Sequence, residues 1–175
     1  RDVLLLDGIE PNLRWRTFGE QITGVAHELG VAMVVTLGAL LSDIPHTRPT
    51  MVTGTADEPD VAGRLGLVRS TYEGPTGIVG VLGSALRDAG ISTVSLWASV
   101  PTYVSGAPSP KATLALVERT ARILGVHLPT TDLEIAAAGY IRQLDELVAA
   151  DDDTAEYVSG LEAAADDQPS TDLDE

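Results

Sequence analysis

The 175-residue sequence predicts an α/β fold with a mainly parallel sheet, followed by a helical C-terminal appendage. Three observations lead there. Short apolar runs at 3–6 (VLLL), 31–40 (VAMVVTLGAL) and 91–100 (ISTVSLWASV) have the character of strands buried on both faces. Segments of helical period lie between them. Beyond residue 110, helical patterns alone remain before a short acidic end.

Taken in order, VLLL at 3–6 is a strand ended by Asp7–Gly8. Asn12 is a plausible N-cap for a helix whose apolar face is Leu13, Phe18, Ile22, Val25, Ala26 and Leu29. Gly30 stops it, and the β-branched run 31–40 is the next strand. Strand, helix and strand with such short connections make a βαβ unit with a right-handed crossover. Residues 50–56 alternate and form a further strand, 57–66 a turn or short helix, and 67–74 a short strand with a loop. Residues 75–90 read as a helix with a face of small residues, Gly77, Gly80, Gly83 and Ser84, suited to close packing. The strand 91–100 follows, then a Pro/Gly/Ser loop. Pro110 can open an amphipathic helix over 111–126. Two more helices follow, the first with Ile135, Ala138, Ile141, Leu144 and Val148 on its apolar face. The expected organisation is an α/β domain over 1–128, a helical appendage over 129–166 and a disordered acidic tail over 167–175. The chain opens directly on a buried strand at Arg1, so an N-terminal part of the full protein is expected to precede it.

Charge narrows the function classes. The net charge is −15, and residues 145–175 carry 12 of the 26 carboxylates with no base after Arg142. The rest of the chain is near neutral. Nucleic-acid binding needs a basic footprint, and none is visible. No apolar run reaches the ~20 residues that span a bilayer. The chain has no cysteine, which excludes disulfides, a thiolate nucleophile and cysteine-ligated metals, and fits a reducing, cytoplasmic compartment. It has a single lysine, Lys111. The three histidines, His27, His46 and His127, are far apart in sequence, so no metal site is expected, and no cofactor is implied. The run Asp151–Asp153 fits a helix start beside the N-terminal dipole and lacks the spacing of a calcium loop.

Ligands of open α/β sheets bind where loops leave the carboxyl ends of the strands. Two loops qualify here: 38–49 (GALLSDIPHTRP) and 99–110 (SVPTYVSGAPSP), which meet if their strands are neighbours. Asp43, His46, Thr47 and Arg48 in the first loop, with Pro101 and Tyr103 in the second, form the candidate ligand or interface site. Arg48 suits a carboxylate or phosphate because its planar fork binds bidentately. His46 has the chemistry of a general base near neutral pH. The competing reading is structural: Pro45 and Pro49 fix the backbone around His46–Arg48, and side chains so held often bond to backbone carbonyls. A triad of Ser42, His46 and Asp43 is disfavoured, because five adjacent residues rarely converge as a triad must. GRLGLVRS lacks the lysine of a P-loop, and GIVGVLGSA does not open a helix after a strand in dinucleotide-binding spacing. No catalytic residues are assigned. Trp15, Trp97, Tyr103, Tyr140 and Tyr157 serve either the core or a subunit contact.

The segments LLLDGIEPNLRWRTFGEQI, GALLSDIPHTRPTMVTGTA, GIVGVLGSALRDAGISTVSLWASVPTYVSGAPSPKATLALVE and LEIAAAGYIRQLDELVAADDDTAEYVSGLE, in that order, resemble the proteasome assembly chaperone 2 family in its actinobacterial branch. The resemblance covers nearly the whole chain. It implies a three-layer α/β/α sandwich similar to nucleoside phosphorylases, and oligomerisation, without implying a reaction. The eukaryotic relatives are non-enzymatic chaperones of proteasome assembly, and the archaeal ones are binding proteins of similar type. The ATP-grasp ligase activity sometimes ascribed to bacterial members finds no support in these residues, since the chain is too short for two ATP-clasping lobes. The STDLDE end lacks the hydrophobic–Tyr–x signature through which eukaryotic relatives dock on proteasome subunits.

Two functions from different classes therefore stand. One is a non-enzymatic, homo-oligomeric interaction protein with an unknown protein partner. The other is an enzyme or small-molecule binder on a phosphorylase-like scaffold that recognises an anion through the Pro45–Pro49 loop. They differ structurally: an enzyme needs a deep pocket faced by His46 and Arg48.

Overall fold

The two long apolar runs form the two longest strands, β1 (Met33–Ser42) and β3 (Ser92–Pro101), and they pair in parallel. The computed structural model describes residues 2–56, 58–67, 77–104 and 106–167. The order along the chain is helix α1 (Trp15–Glu28), β1, strand β2 (Val52–Ala56), helices α2 (Pro59–Arg64) and α3 (Ile78–Asp88), and β3. A 3-10 turn (Thr102–Val104) then leads to helices α4 (Pro110–Leu124), α5 (Thr131–Ala149) and α6 (Asp152–Asp166). No helix among the described residues is long and apolar enough to cross a membrane.

The sheet order is β1-β3-β2, with β2 antiparallel to β3. Among the described residues the sheet is thus mixed, with a long parallel pairing and a shorter antiparallel one. Register places Met33 beside Ser92 and Ser42 beside Pro101, so β1 and β3 end side by side. Strand β3 is central and heavily buried, with Val94, Leu96 and Ala98 fully inaccessible. Burying a Val or Leu side chain contributes roughly 1.5–3 kcal/mol. Met33 and Val35 of β1 pack with Val61 and Ala62 of α2 and with Leu116 and Ile123 of α4. Val34, whose side chain points the other way, packs with Ala26 of α1 and Leu82 and Leu86 of α3. Helices therefore cover the sheet from both sides at this end.

The capping chemistry of the later helices follows the sequence. Pro110 sits in the first turn of α4, and the Ser109 hydroxyl accepts from the Ala112 amide at 3.3 Å. Gly125 closes that helix in the left-handed region (φ 64°). The Asp151 carboxylate accepts from the Thr154 amide at 3.0 Å and starts α6, as the acidic run predicts.

Four expectations fail for identifiable reasons. Residues 3–6 form no strand: Val3, Leu4, Leu5 and Leu6 are 60–86% exposed. Four apolar residues need a paired edge and a covering layer to become a buried strand, and α1 packs mainly on α3. Helix α1 starts at Trp15, later than Asn12 implies; the Trp15 indole donates to the Pro11 carbonyl at 2.5 Å, and Leu13, Val25 and Leu29 are exposed. The small residues of α3 are not its contact face, since a Cβ on Gly77 or Gly83 would meet nothing within 4 Å. Close packing comes instead from Gly19 of α1, where a Cβ would lie 3.2 Å from that of Ala85. On α5 the buried residues are Ala137, Tyr140 and Leu144, while Ile135 is 65% exposed. The true face is rotated from the expected one and takes in an aromatic. The strand expected over 67–74 lies, after Leu67, outside the described residues, as does the tail beyond Asp167.

Candidate functional site

Because Ser42 and Pro101 are register partners, the two candidate loops leave the sheet together. Asp43, His46, Thr47 and Arg48 are thereby brought to the segment Pro101–Tyr103. Helices α4, α5 and α6 supply the surrounding side chains.

His46 is the centre of this cluster and is 3% exposed. Its backbone N–H donates to the Tyr103 hydroxyl at 2.7 Å. Its Nδ1 lies 2.8 Å from the same oxygen, and its Nε2 lies 3.0 Å from Asp145 Oδ1 on α5. Since the Tyr103 oxygen already accepts one proton, its own hydrogen is available to Nδ1. Nε2–H then donates to the carboxylate, and this neutral tautomer satisfies all three contacts. The rings of His46 and Tyr103 meet edge to face at 5.9 Å, and those of Tyr103 and Tyr157 do so at 6.1 Å. Burial pushes the Tyr103 phenol above its ordinary value, partly opposed by the hydrogen bond from the His46 backbone.

Lys111, in the first turn of α4, donates through Nζ to the His46 carbonyl at 2.6 Å and also to the Arg48 carbonyl. Burial pulls its pKa down. Pro45 is buried, and the Arg48 amide closes a turn on the Pro45 carbonyl at 3.5 Å. The backbone of the loop is therefore gripped from β3's end, from α4 and through its own prolines.

The exposed side of the loop meets α6. Arg48 Nε and Nη2 each bond one oxygen of Asp166 at 2.7 Å, a bidentate fork. Arg48 Nη1 lies 3.5 Å from Glu162 Oε1, to which the Thr47 hydroxyl also donates. The hydrogen bonds of this fork raise the Arg48 pKa and hold the Asp166 carboxyl below its ordinary range. Asp43 Oδ1 accepts from Thr102 Oγ1 at 3.0 Å and from the Tyr157 hydroxyl at 3.1 Å.

All six expected site residues thus converge, but not as a catalytic set. Asp43 engages Thr102 and Tyr157, while the two ring nitrogens of His46 face Tyr103 and Asp145; a Ser42–His46–Asp43 triad does not form. The cavity beside the loop, lined by His46, Arg48, Ser109, Lys111 and Tyr140 among others, measures about 10 Å³. That is room for about one water molecule, against the ~300–1,000 Å³ of ligand pockets. A depression of about 490 Å³ along Asp153, Tyr157 and Leu161 is bounded by α6 alone, and one helix encloses nothing. Among the described residues no three His or acidic side chains are grouped to hold a metal ion. His27 and His127 are exposed and take no part.

Sequence reasoning missed Lys111, Asp145, Glu162 and Asp166 as members. The signal for Lys111 was its being the only lysine, placed next to the Pro110 helix start. Asp145 and Tyr140 follow from the corrected face of α5.

The sequence model of the PAC2 family matches residues 1–148. The chain belongs to the PAC2 family. It is 50% identical to a PAC2 family protein from Streptomyces avermitilis, with a TM-score of 0.79 over 86% of this chain and 63% of that one. It is also 50% identical to a Mycobacterium tuberculosis proteasome-assembly chaperone homologue, with a TM-score of 0.77 over 86% of this chain and 64% of that one. The chain thus spans under two thirds of the length of either relative. An archaeal homolog of proteasome-assembly chaperone from Pyrococcus furiosus shares the fold at 20% identity, with a TM-score of 0.62 over 80% of this chain and 62% of that one. No curated protein matches the chain. The actinobacterial relatives agree with the branch that the sequence motifs point to.

Proposed function

We propose that this PAC2 chain is a non-enzymatic interaction protein that works as a homo-oligomer in the cytoplasm and engages a protein partner. One observation carries the reading. The His46 ring, Thr47, Arg48, Asp43 and Lys111 already bond within the chain, and the cavity beside them is about 10 Å³. A general base or an anion receptor for a small substrate needs a free face toward a pocket, and these groups are turned toward α4, α5 and α6. The kinship with a proteasome-assembly chaperone homologue supports the same reading.

In this account Asp43, His46, Thr47, Arg48, Pro101 and Tyr103 form a joint. It fastens the appendage 129–166 to the carboxyl end of the sheet in the domain 1–128. The sheet belongs, in this account, to the three-layer sandwich of the family.

The second reading, an anion-binding protein, is favoured by the partial exposure of Arg48, whose side chain is 37% accessible. A thermal-shift screen with nucleosides, nucleotides and inorganic phosphate separates the two. The interaction reading predicts no shift with any of them. A saturable shift that disappears in Arg48→Ala establishes the anion-binding reading instead.

A further inference from the structure

Glu162 and Asp166 are four residues apart and so share one face of α6, a turn from each other. Thr47 and Arg48 take up this pair together: the Thr47 hydroxyl bonds Glu162, and the Arg48 fork bonds both oxygens of Asp166 at 2.7 Å. The two carboxylates lie toward the C-terminal end of α6, which has no basic residue in its last turn. Negative charge there opposes the helix dipole. Arg48, from outside the helix, supplies the missing cation.

Apart from this pair, α6 reaches the loop through Tyr157, which bonds Asp43 and meets the Tyr103 ring. It packs mainly on α5, and Val158 is its one buried residue. Asp166 is 60% exposed, so the fork is open to water and to competing groups. The backbone of the loop at His46 and Arg48 is held by groups outside α6. Tyr103 holds the His46 amide, Lys111 holds the carbonyls of His46 and Arg48, and Asp145 of α5 holds the His46 ring. The backbone that carries Thr47 and Arg48 is therefore held independently of the α6 carboxylates.

We propose that Thr47 and Arg48 form a receptor for a helix of a protein partner that carries two carboxylates at i, i+4 spacing, and that α6 occupies this receptor in cis as a tethered competitor. The inference rests on the interaction-protein reading above and names the chemistry of the partner. The geometry selects a helix: the hydroxyl of Thr47 and the fork of Arg48 are adjacent in sequence and read carboxylates one turn apart. Arginine is suited to the second position because lysine has no bidentate fork.

The test uses the full chain and a fluorescent, helix-stabilised peptide of residues 151–167, followed by anisotropy. In wild type the tethered α6 competes at an effective concentration in the millimolar range. The variant Glu162→Gln/Asp166→Asn, which neutralises a half-buried and an exposed carboxylate, weakens that competition. It is expected to bind the peptide at least about tenfold more tightly than wild type. Arg48→Ala and Arg48→Lys added to this variant are expected to lose the gain, with circular dichroism confirming that the fold is kept. A peptide carrying the same two neutral substitutions is expected not to bind. Undetectable peptide binding by the double variant, or binding that Arg48→Lys leaves unchanged, overturns the proposal. Inhibition by millimolar inorganic phosphate as effective as that by the peptide overturns the helix specificity. A chain that assembles yet ignores the peptide removes this inference and leaves the oligomeric reading intact.

Discussion

The Tyr103→Phe substitution isolates the hydroxyl on which the joint turns. That oxygen accepts from the His46 amide at 2.7 Å and is hydrogen-bonded to His46 Nδ1, 2.8 Å away. Phenylalanine keeps the ring, its edge contacts with His46 and Tyr157, and nearly all the buried area. What it removes is the partner of two polar groups on a residue that is 3% exposed. Each buried group left unsatisfied costs about 1–3 kcal/mol. Tyr103 is half-buried, so the lower part of the range applies, about 2–4 kcal/mol for the pair. In a chain of this size that lowers Tm by about 4–16 °C. Urea denaturation and calorimetry give the two numbers, and hydrogen exchange at the His46 amide locates the loss. A Tm within about 2 °C of wild type, with the His46 amide still protected, would refute the claim that this hydroxyl holds the loop.

Other consequences follow from the same geometry. A Cβ on Gly38 would lie 2.4 Å from the Trp97 ring, so Gly38→Ala must displace the indole at a cost of about 1–3 kcal/mol; an unchanged tryptophan emission spectrum would contradict it. Arg48 holds the Asp166 carboxyl below its ordinary 3.8, so the docking of α6 is complete above that value and is lost as pH falls through the lower folded one. Amide protection of α6 is therefore expected to stay level down to about pH 4 and to drop below it, and in Arg48→Ala to be lower throughout with a smaller step, the remainder coming from the Asp151 cap. At the alkaline end, the Tyr103 phenol is raised above 10.0 by burial, so its contribution is intact below pH 10 and declines as pH rises toward the folded value. Stability above pH 10 is expected to fall less steeply in Tyr103→Phe than in wild type.

What the residues disclosed was whatever depends on neighbours in sequence. The runs 31–40 and 91–100 carry their burial in their composition, and Pro110, Gly125 and Asp151 mark helix ends by local chemistry. Residues 3–6 show the limit: an apolar run states that it prefers burial, not that an edge and a covering layer exist to receive it. The buried face of α5 differs from the one its aliphatic positions imply because Tyr140 lies inside, which rotates the helix. The loop 43–48 was legible as a site because its residue types are unusual together. Its partners were not. His46 and Asp145 are 99 residues apart, and Arg48 and Asp166 are 118 apart; such pairings arise from how α5 and α6 fold back across the sheet's end. The same packing supports the proposed structural reading, since it engages the hydrogen-bonding groups that a reaction would need.

The central claim is that the loop joins parts of an assembling protein and does not receive a small substrate. Native mass spectrometry of the full chain with nucleotides and phosphate present tests it most directly. The account predicts one discrete oligomer, free of ligand mass. A monomer that carries a nucleotide would contradict it.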